Sequence, residues 1–165
     1  MERLAWIHHE VFQQLLSEAE RAYPQETGGV LMGYWAKRYS ELVITTAIGP
    51  GPQAQHRRQS FVPDSEFDEA EIARIYRESH RLLTYLGDWH THPAGSSYLS
   101  RRDKRTLSRI AACKESRCPA PIMAIMGEGS NRDWVIRVWR YKRQRLPMRL
   151  FRSDVEDLSP LIYKS

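Results

Sequence analysis

The chain has 165 residues, 41% of them hydrophobic and 27% charged. That length and balance suit one globular domain and exclude a disordered polymer or a string of domains. No apolar run is long enough to span a bilayer, and Met1-Glu2-Arg3-Leu4-Ala5-Trp6 lacks the basic-then-apolar order of a secretion signal, so a cytoplasmic protein is expected, with no membrane partner. The net charge of +5 and the pI near 9.4 come from clusters at Arg57-Arg58, 101–105 and 137–152. With no nucleic-acid motif attached, these clusters read as a mildly basic, solvated surface. Cys113 and Cys118 form no disulfide framework or zinc knuckle and are expected reduced.

Leu4 to His8 alternates as a short strand, and Glu10 to Ala22 follows as a helix with Val11, Leu15 and Ala19 on one side. Pro24 ends that helix. A strand is predicted over Val30 to Trp35 and a second over Leu42 to Ile48, the latter supported by the β-branched run Val43-Ile44-Thr45-Thr46. Gly49-Pro50-Gly51-Pro52 opens an irregular loop carrying Gln55 to Ser60. Asp64 can cap a helix from Ser65 to about His80. Thr84 to His92 reads as a strand, Ser100 starts a helix running to about Cys113, and strands are predicted over Pro121 to Met126 and Trp134 to Tyr141. The segment from Leu146 to Ser165 fits either part of the same domain or a partner-binding tail. This order implies a mixed α/β domain with a curved central sheet and helices packed on its faces.

The informative stretch is Gly87-Asp88-Trp89-His90-Thr91-His92-Pro93. Side chains alternate along a strand, so His90 and His92 share a face about 7 Å apart, with Thr91 opposite. Two such imidazoles can reach one metal ion, although histidines at this spacing are commonly structural. Catalytic zinc takes three protein ligands and keeps a fourth position for water, so a third ligand is needed. Asp103, in Ser100-Arg101-Arg102-Asp103, is a candidate; the same four residues also spell a helix capping box, which by itself needs no metal. Glu26, in Gln25-Glu26-Thr27-Gly28-Gly29, is the candidate proton acceptor. Its paired glycines permit a close backbone approach or unusual dihedrals.

Taken together, Glu26, His90-x-His92-Pro93, the seven residues Pro93 to Leu99, and Ser100-x-x-Asp103 resemble the full signature of the JAB/MPN/JAMM metalloproteases. The order of elements is similar to the MPN fold over residues 3 to 141, a cytidine-deaminase-like mixed α/β architecture, with a JAB/MPN domain at 1–145 and a tail at 146–165. The resemblance implies one Zn2+ ion held by His90, His92 and Asp103 with a catalytic water. It implies Glu26 as general base and then general acid, and Ser100 as a donor to the oxyanion.

The phrases Glu26-Thr27-Gly28-Gly29, Gly49-Pro50-Gly51-Pro52, Phe61-Val62-Pro63-Asp64 and Gly87 to Pro93 look most like prokaryotic JAB-domain deconjugases. These occur beside activating and conjugating enzymes in ubiquitin-like operons, including antiphage CBASS and Bil systems. The implied substrate is a ubiquitin-like protein with an extended C-terminal tail, freed from its conjugated target or trimmed from a precursor. A sulfur-carrier processing peptidase would use the same site, and a non-catalytic MPN scaffold is the reading outside enzymology. Asp88 departs from the commoner pattern, where an aromatic or apolar residue stands, and is expected either to orient a histidine or to lie on the sheet rim. His8, His9 and His56 are expected at the surface, Trp89 in the core, and the Gly49–Ser60 and Gly95–Tyr98 loops at the substrate rim.

Overall fold

The computed structural model describes residues 3–37, 40–131, 133–145 and 151–164. In chain order they form β1 (Leu4–His8), α1 (His9–Ala22), β2 (Gly28–Ala36), β3 (Glu41–Ile48), β4 (Gln55–Arg57), β5 (Ser60–Val62), α2 (Ser65–Glu78), β6 (Thr84–His92), α3 (Arg101–Ala112), β7 (Ile122–Glu128), β8 (Trp134–Arg145) and β9 (Phe151–Tyr163).

Local chemistry explains most of the boundaries. The predicted stripe Val11, Leu15 and Ala19 is the buried side of α1. His8, expected as a surface histidine, caps that helix, its Nδ1 accepting the Glu10 amide at 3.3 Å. Asp64 caps α2 by accepting the Phe67 amide at 3.3 Å. α2 stops at Glu78 because His80 and Arg81 take positive φ values of 53° and 68°, which a right-handed helix excludes. The stretch expected as an irregular loop contains the β4–β5 hairpin, with His56 paired to Phe61.

The mixed α/β composition is as expected, but the sheet does not stay open. Seven strands close into a barrel in the order β1-β3-β2-β6-β7-β8-β9. Closure comes from β9, which pairs antiparallel with β8 (Val138↔Leu158) and parallel with β1 (Leu4↔Ser159). A barrel leaves no unpaired backbone edge, and the segment 151–163 supplies both missing ladders. Residues 146–150 of the expected tail lie outside the described residues. Part of the basic cluster is neutralised here: Arg137 pairs with Asp157 at 2.7 Å and Lys142 with Glu156 at 3.1 Å. Among the described residues, no helix is long and apolar enough to cross a membrane.

The barrel core contains Ile7, Leu31, Leu42, Ile44, Leu86, Trp89, Ile122 and Leu158, with α1 packed against it. A second apolar cluster joins Val30, Met32 and Ile48 to Phe67, Ile72 and Ile75 of α2. A third joins Leu107 of α3 to Met123 and Ile125 of β7. The two helices leave a gap over β6, and that gap is the cleft described below. Leu158 is fully buried in the closing strand, so Leu158→Ala, at about 3 kcal/mol for a truncated core leucine, is expected to lower the thermal midpoint by roughly 10 °C in a chain of this size. Calorimetry of the two proteins checks this.

Candidate active site

Along β6, Trp89 and Thr91 are buried, whereas Asp88, His90 and His92 are half-buried, as alternation requires. Trp89 donates its indole N–H to the Ile48 carbonyl at 3.0 Å and is core, as expected. Thr91 performs a task its sequence position did not disclose. Its amide donates to the Thr27 carbonyl at 2.9 Å, and the Thr27 amide donates to its hydroxyl at 3.0 Å. Gly28 then pairs with His90 and Gly29 with Trp89. The paired glycines serve close approach: a Cβ on Gly28 would lie 2.5 Å from the Trp89 carbonyl oxygen, and one on Gly29 2.0 Å from that of Ile48. Glu26, one residue ahead of this clamp, is thereby brought into the same cleft as His90, His92, Ser100 and Asp103, a cavity of about 550 Å³.

Three donor atoms converge in that cleft. Nε2 of His90 lies 2.9 Å from Nε2 of His92, 3.3 Å separates His90 Nε2 from Asp103 Oδ1, and 3.6 Å separates His92 Nε2 from Asp103 Oδ2. A tetrahedral ion with bonds of 2.0–2.1 Å spaces its ligand atoms about 3.3 Å apart; with one oxygen taken from Asp103, the three ligand atoms lie within 4.8 Å of one another, close enough for small side-chain adjustments to bring them onto one ion. His92 Nδ1 lies 2.9 Å from the Ser96 carbonyl. A carbonyl only accepts, so Nδ1 carries the hydrogen and Nε2 presents its lone pair to the centre. Burial, opposed by this Ser96 bond, lowers the His92 pKa and favours the neutral imidazole a metal requires. The donor set therefore fits a divalent ion, and among the described residues it is the one grouping of three or more such side chains that does.

The capping box and the carboxylate's approach to the histidines coexist. Asp103 Oδ2 accepts the Ser100 amide at 2.7 Å, and Ser100 Oγ accepts the Asp103 amide at 3.2 Å. Burial works to raise the Asp103 carboxyl, but the hydrogen bond and charge of His90, then the Ser100 hydroxyl and amide, outweigh it and hold it down at about 2. Ser100 Oγ thus accepts from the backbone while its hydroxyl lies beside the Asp103 carboxylate on the wall of the cleft.

Two residues depart from expectation. His56 is not a free surface histidine: its Nδ1 lies 3.0 Å from the Glu26 carbonyl, while the Glu26 amide donates to the Arg57 carbonyl at 2.8 Å. Both backbone groups of Glu26 are thus tied to the β4–β5 hairpin, a link that no local pattern encodes. Asp88 is not on a rim. It sits mid-strand, paired with Val30 and Met123 on either side, and accepts the Tyr85 hydroxyl at 2.7 Å. Of the predicted rims, the hairpin contributes Gln59, Phe61 and Val62 to the cleft. The Gly95–Tyr98 loop instead buttresses His92 and is held by Trp139, whose indole donates to the Ser97 carbonyl at 3.1 Å. Cys113 is exposed, Cys118 is buried, and both are free thiols.

Asp68 also lines the cleft, and no sequence pattern singles it out. It is the one buried residue of α2, 8% exposed. Burial, with the charges of Asp88 and Asp64, pushes its carboxyl from 3.8 up to about 6.

Fold and site together place two histidines and an aspartate, a group that could hold a metal ion, in one cleft with a glutamate. Residues 8–142 match the prokaryotic homologs of the JAB domain, and the chain belongs to that family. It is 42% identical over 140 residues to the probable metalloprotease y4qB of Sinorhizobium fredii, covering 84% of each chain. It is 30% identical over 121 residues to a CD-NTase/cGAS isopeptidase of Enterobacter hormaechei, covering 73% of this chain and 66% of that protein. The solution structure of protein DSY2949 from Desulfitobacterium hafniense shares the fold, with a TM-score of 0.70 at 17% identity over 98% of this chain and 94% of that one. The chain is a JAB-type peptidase or isopeptidase, and the non-catalytic scaffold is set aside.

Two outcomes follow from this geometry. Thr91→Val leaves the buried Thr27 amide without an acceptor, which costs about 1–3 kcal/mol, and releases the Glu26 segment; activity and thermal midpoint should fall together, while Thr91→Ser keeps both near wild type. Asp68 acts through pH. Its folded pKa lies above its ordinary 3.8, so the stability it contributes is present below about pH 4 and is lost as pH rises through about 6. Asp68→Asn should therefore leave the midpoint nearly unchanged at pH 4 and raise it by up to roughly 10 °C at pH 7, as read in melts across that range.

Proposed function

We propose that this protein is a zinc isopeptidase that hydrolyses the bond after the C-terminal residue of a ubiquitin-like modifier, releasing it from a target or trimming its precursor. The observation that carries the reading is the meeting of His90 Nε2, His92 Nε2 and Asp103 within 4.8 Å of one another, in a cleft that also holds Glu26 and Ser100. The two-nitrogen, one-carboxylate donor set suits zinc. Bound there, the ion would lower the pKa of water to about 7 and polarise the scissile carbonyl.

The chain's own groups do the rest. Burial, reinforced by Asp103 and opposed by His90 and Arg102, raises the Glu26 carboxyl above the usual glutamate range. A carboxylate so placed takes a proton from the attacking water and returns it to the departing amine near neutral pH. Ser100, whose hydroxyl lies beside Asp103 on the cleft wall, turns that hydroxyl hydrogen to the oxygen that gains charge at the scissile carbonyl. Phe61 and Val62 of the hairpin wall the cleft along which an extended tail would lie.

Relatives named as CD-NTase/cGAS isopeptidases, at 30%, 32% and 28% identity, support an isopeptide substrate and association with a conjugation system; the place in a bacterial antiphage system is what the sequence resemblance implies. Activating and conjugating enzymes in the cytoplasm are then the associated partners.

The decisive measurement is zinc content together with cleavage of a ubiquitin-like protein carrying a C-terminal extension. Wild type should bind one zinc per chain and cut the fusion. Glu26→Gln should keep the zinc and lose 10²- to 10⁴-fold in rate, and His92→Ala should lose both. Cleavage that survives Glu26→Gln, or a wild-type protein that takes up no zinc, would sink the mechanism.

A further inference from the structure

The cleft also carries two carboxylates that the proposed hydrolysis does not use. Asp68 comes from the first turns of α2 and Asp88 from the middle of β6, and both line the cavity shared with His90 and Asp103. Asp88 accepts one hydrogen bond, from Tyr85. Asp68 is more than nine-tenths buried, and among the described residues its carboxyl receives no hydrogen bond and joins no ion pair. Its nearest charged company is anionic, Asp88 and Asp64. On the opposite wall Arg109 and Arg102 of α3 line the same cavity; Arg109 bears on Asp88 through space, but among the described residues neither arginine forms an ion pair with either carboxylate.

A buried carboxylate without a partner, facing a second one, is an arrangement that folding alone disfavours. An apolar residue at the same position of α2 would extend the contacts of its neighbour Phe67. A carboxylate here is accounted for by a cation that arrives from outside. The cation must also be carried on a side chain that reaches into the cleft wall, because Asp68 is only 8% exposed. A guanidinium suits two carboxylates, since its fork of N–H donors can bond both at once.

The spacing says where on a substrate that cation would sit. Asp88 and His90 are two residues apart on one face of β6, about 7 Å. An extended peptide presents successive same-side side chains at the same interval. We infer that Asp68 and Asp88 form a subsite for a cationic side chain, arginine before lysine, of a substrate residue flanking the scissile bond. The inference rests on the peptidase reading of the neighbouring metal donors and adds a sequence requirement to it.

The test uses fluorescent extended peptides in which a single arginine is moved through successive positions on both sides of a Gly-Gly dipeptide, with glutamine at the same position as reference. Binding is read by anisotropy with the zinc-loaded Glu26→Gln protein, so that hydrolysis does not intervene. At one position arginine should bind about tenfold tighter than glutamine, the strength of a hydrogen bond to a charged group. Added salt should reduce that ratio, and Asp68→Asn should bring it close to one; Asp88→Asn provides an independent second variant. Three results overturn the subsite: no position prefers arginine, the preference survives both variants, or the wild type binds a second zinc that Asp68→Asn removes. Cleavage by wild type is scored separately. An arginine preference without cleavage keeps the subsite and counts against the hydrolase reading, whereas cleavage without preference does the reverse.

Discussion

Thr91 stands between two histidines, with its side chain turned into the barrel and its amide and hydroxyl both engaged with Thr27. This crossing of β2 and β6 decides where everything else in the cleft lies. A one-residue slip of either strand would exchange the faces of His90, Thr91 and His92 and carry Glu26 away from them. Register is therefore held by more than apolar patterning. The buried Thr27 amide has its acceptor only in the native alignment, and Gly28 and Gly29 admit the neighbouring backbones only there. The clamp costs little in sequence, one hydroxyl and two missing side chains, and it sets where Glu26 stands relative to His90, His92 and Asp103.

The remaining donor is aimed by a second economy. The Asp103 carboxylate closes the first turn of α3 with Ser100 and at the same time faces both histidines. Its oxygens are therefore oriented by the cap as well as toward the histidines, and the entropy of fixing the side chain is met by helix capping. His92 is held likewise by the Ser96 carbonyl. Asp68 differs from both, since its charge is buried with no such support. The cleft thus contains one set of polar groups satisfied from within and another left for something that enters.

Much of this was legible in the sequence because the chemistry is local. The alternation of Asp88 to His92 along a strand, the Ser100-x-x-Asp103 cap, the buried stripe of α1 and the start of α2 at Asp64 each depend on a few neighbouring residues. What could not be read depends on contacts between distant segments. Closure of the sheet rests on pairing Leu4 with Ser159, and the sequence of 151–163, with its charges and Pro160, has little of a strand's alternation. The tie between His56 and Glu26 crosses thirty positions, and His56 alone resembles any exposed histidine. Asp68 follows the pattern of a solvent-facing helix residue, and only the fold of α2 over β6 turns it inward. Asp88 was seen as a departure from the family pattern, but its partner Tyr85 could be identified only once the Gly87 kink, at φ +148°, had brought the two side chains together.

The strand that closes the barrel is also the last to leave the ribosome among those described. Until residues 151–163 emerge, β1 and β8 each present an unpaired edge, and Leu158 is missing from the core. Glu26, His90, His92 and Asp103 are by then already synthesised, within a sheet that cannot yet close. Pairings that span almost the whole chain make folding slow compared with local structure, so the nascent protein passes through an interval in which its metal donors exist without their scaffold. Closure of the scaffold around the cleft thus waits on residues 151–163.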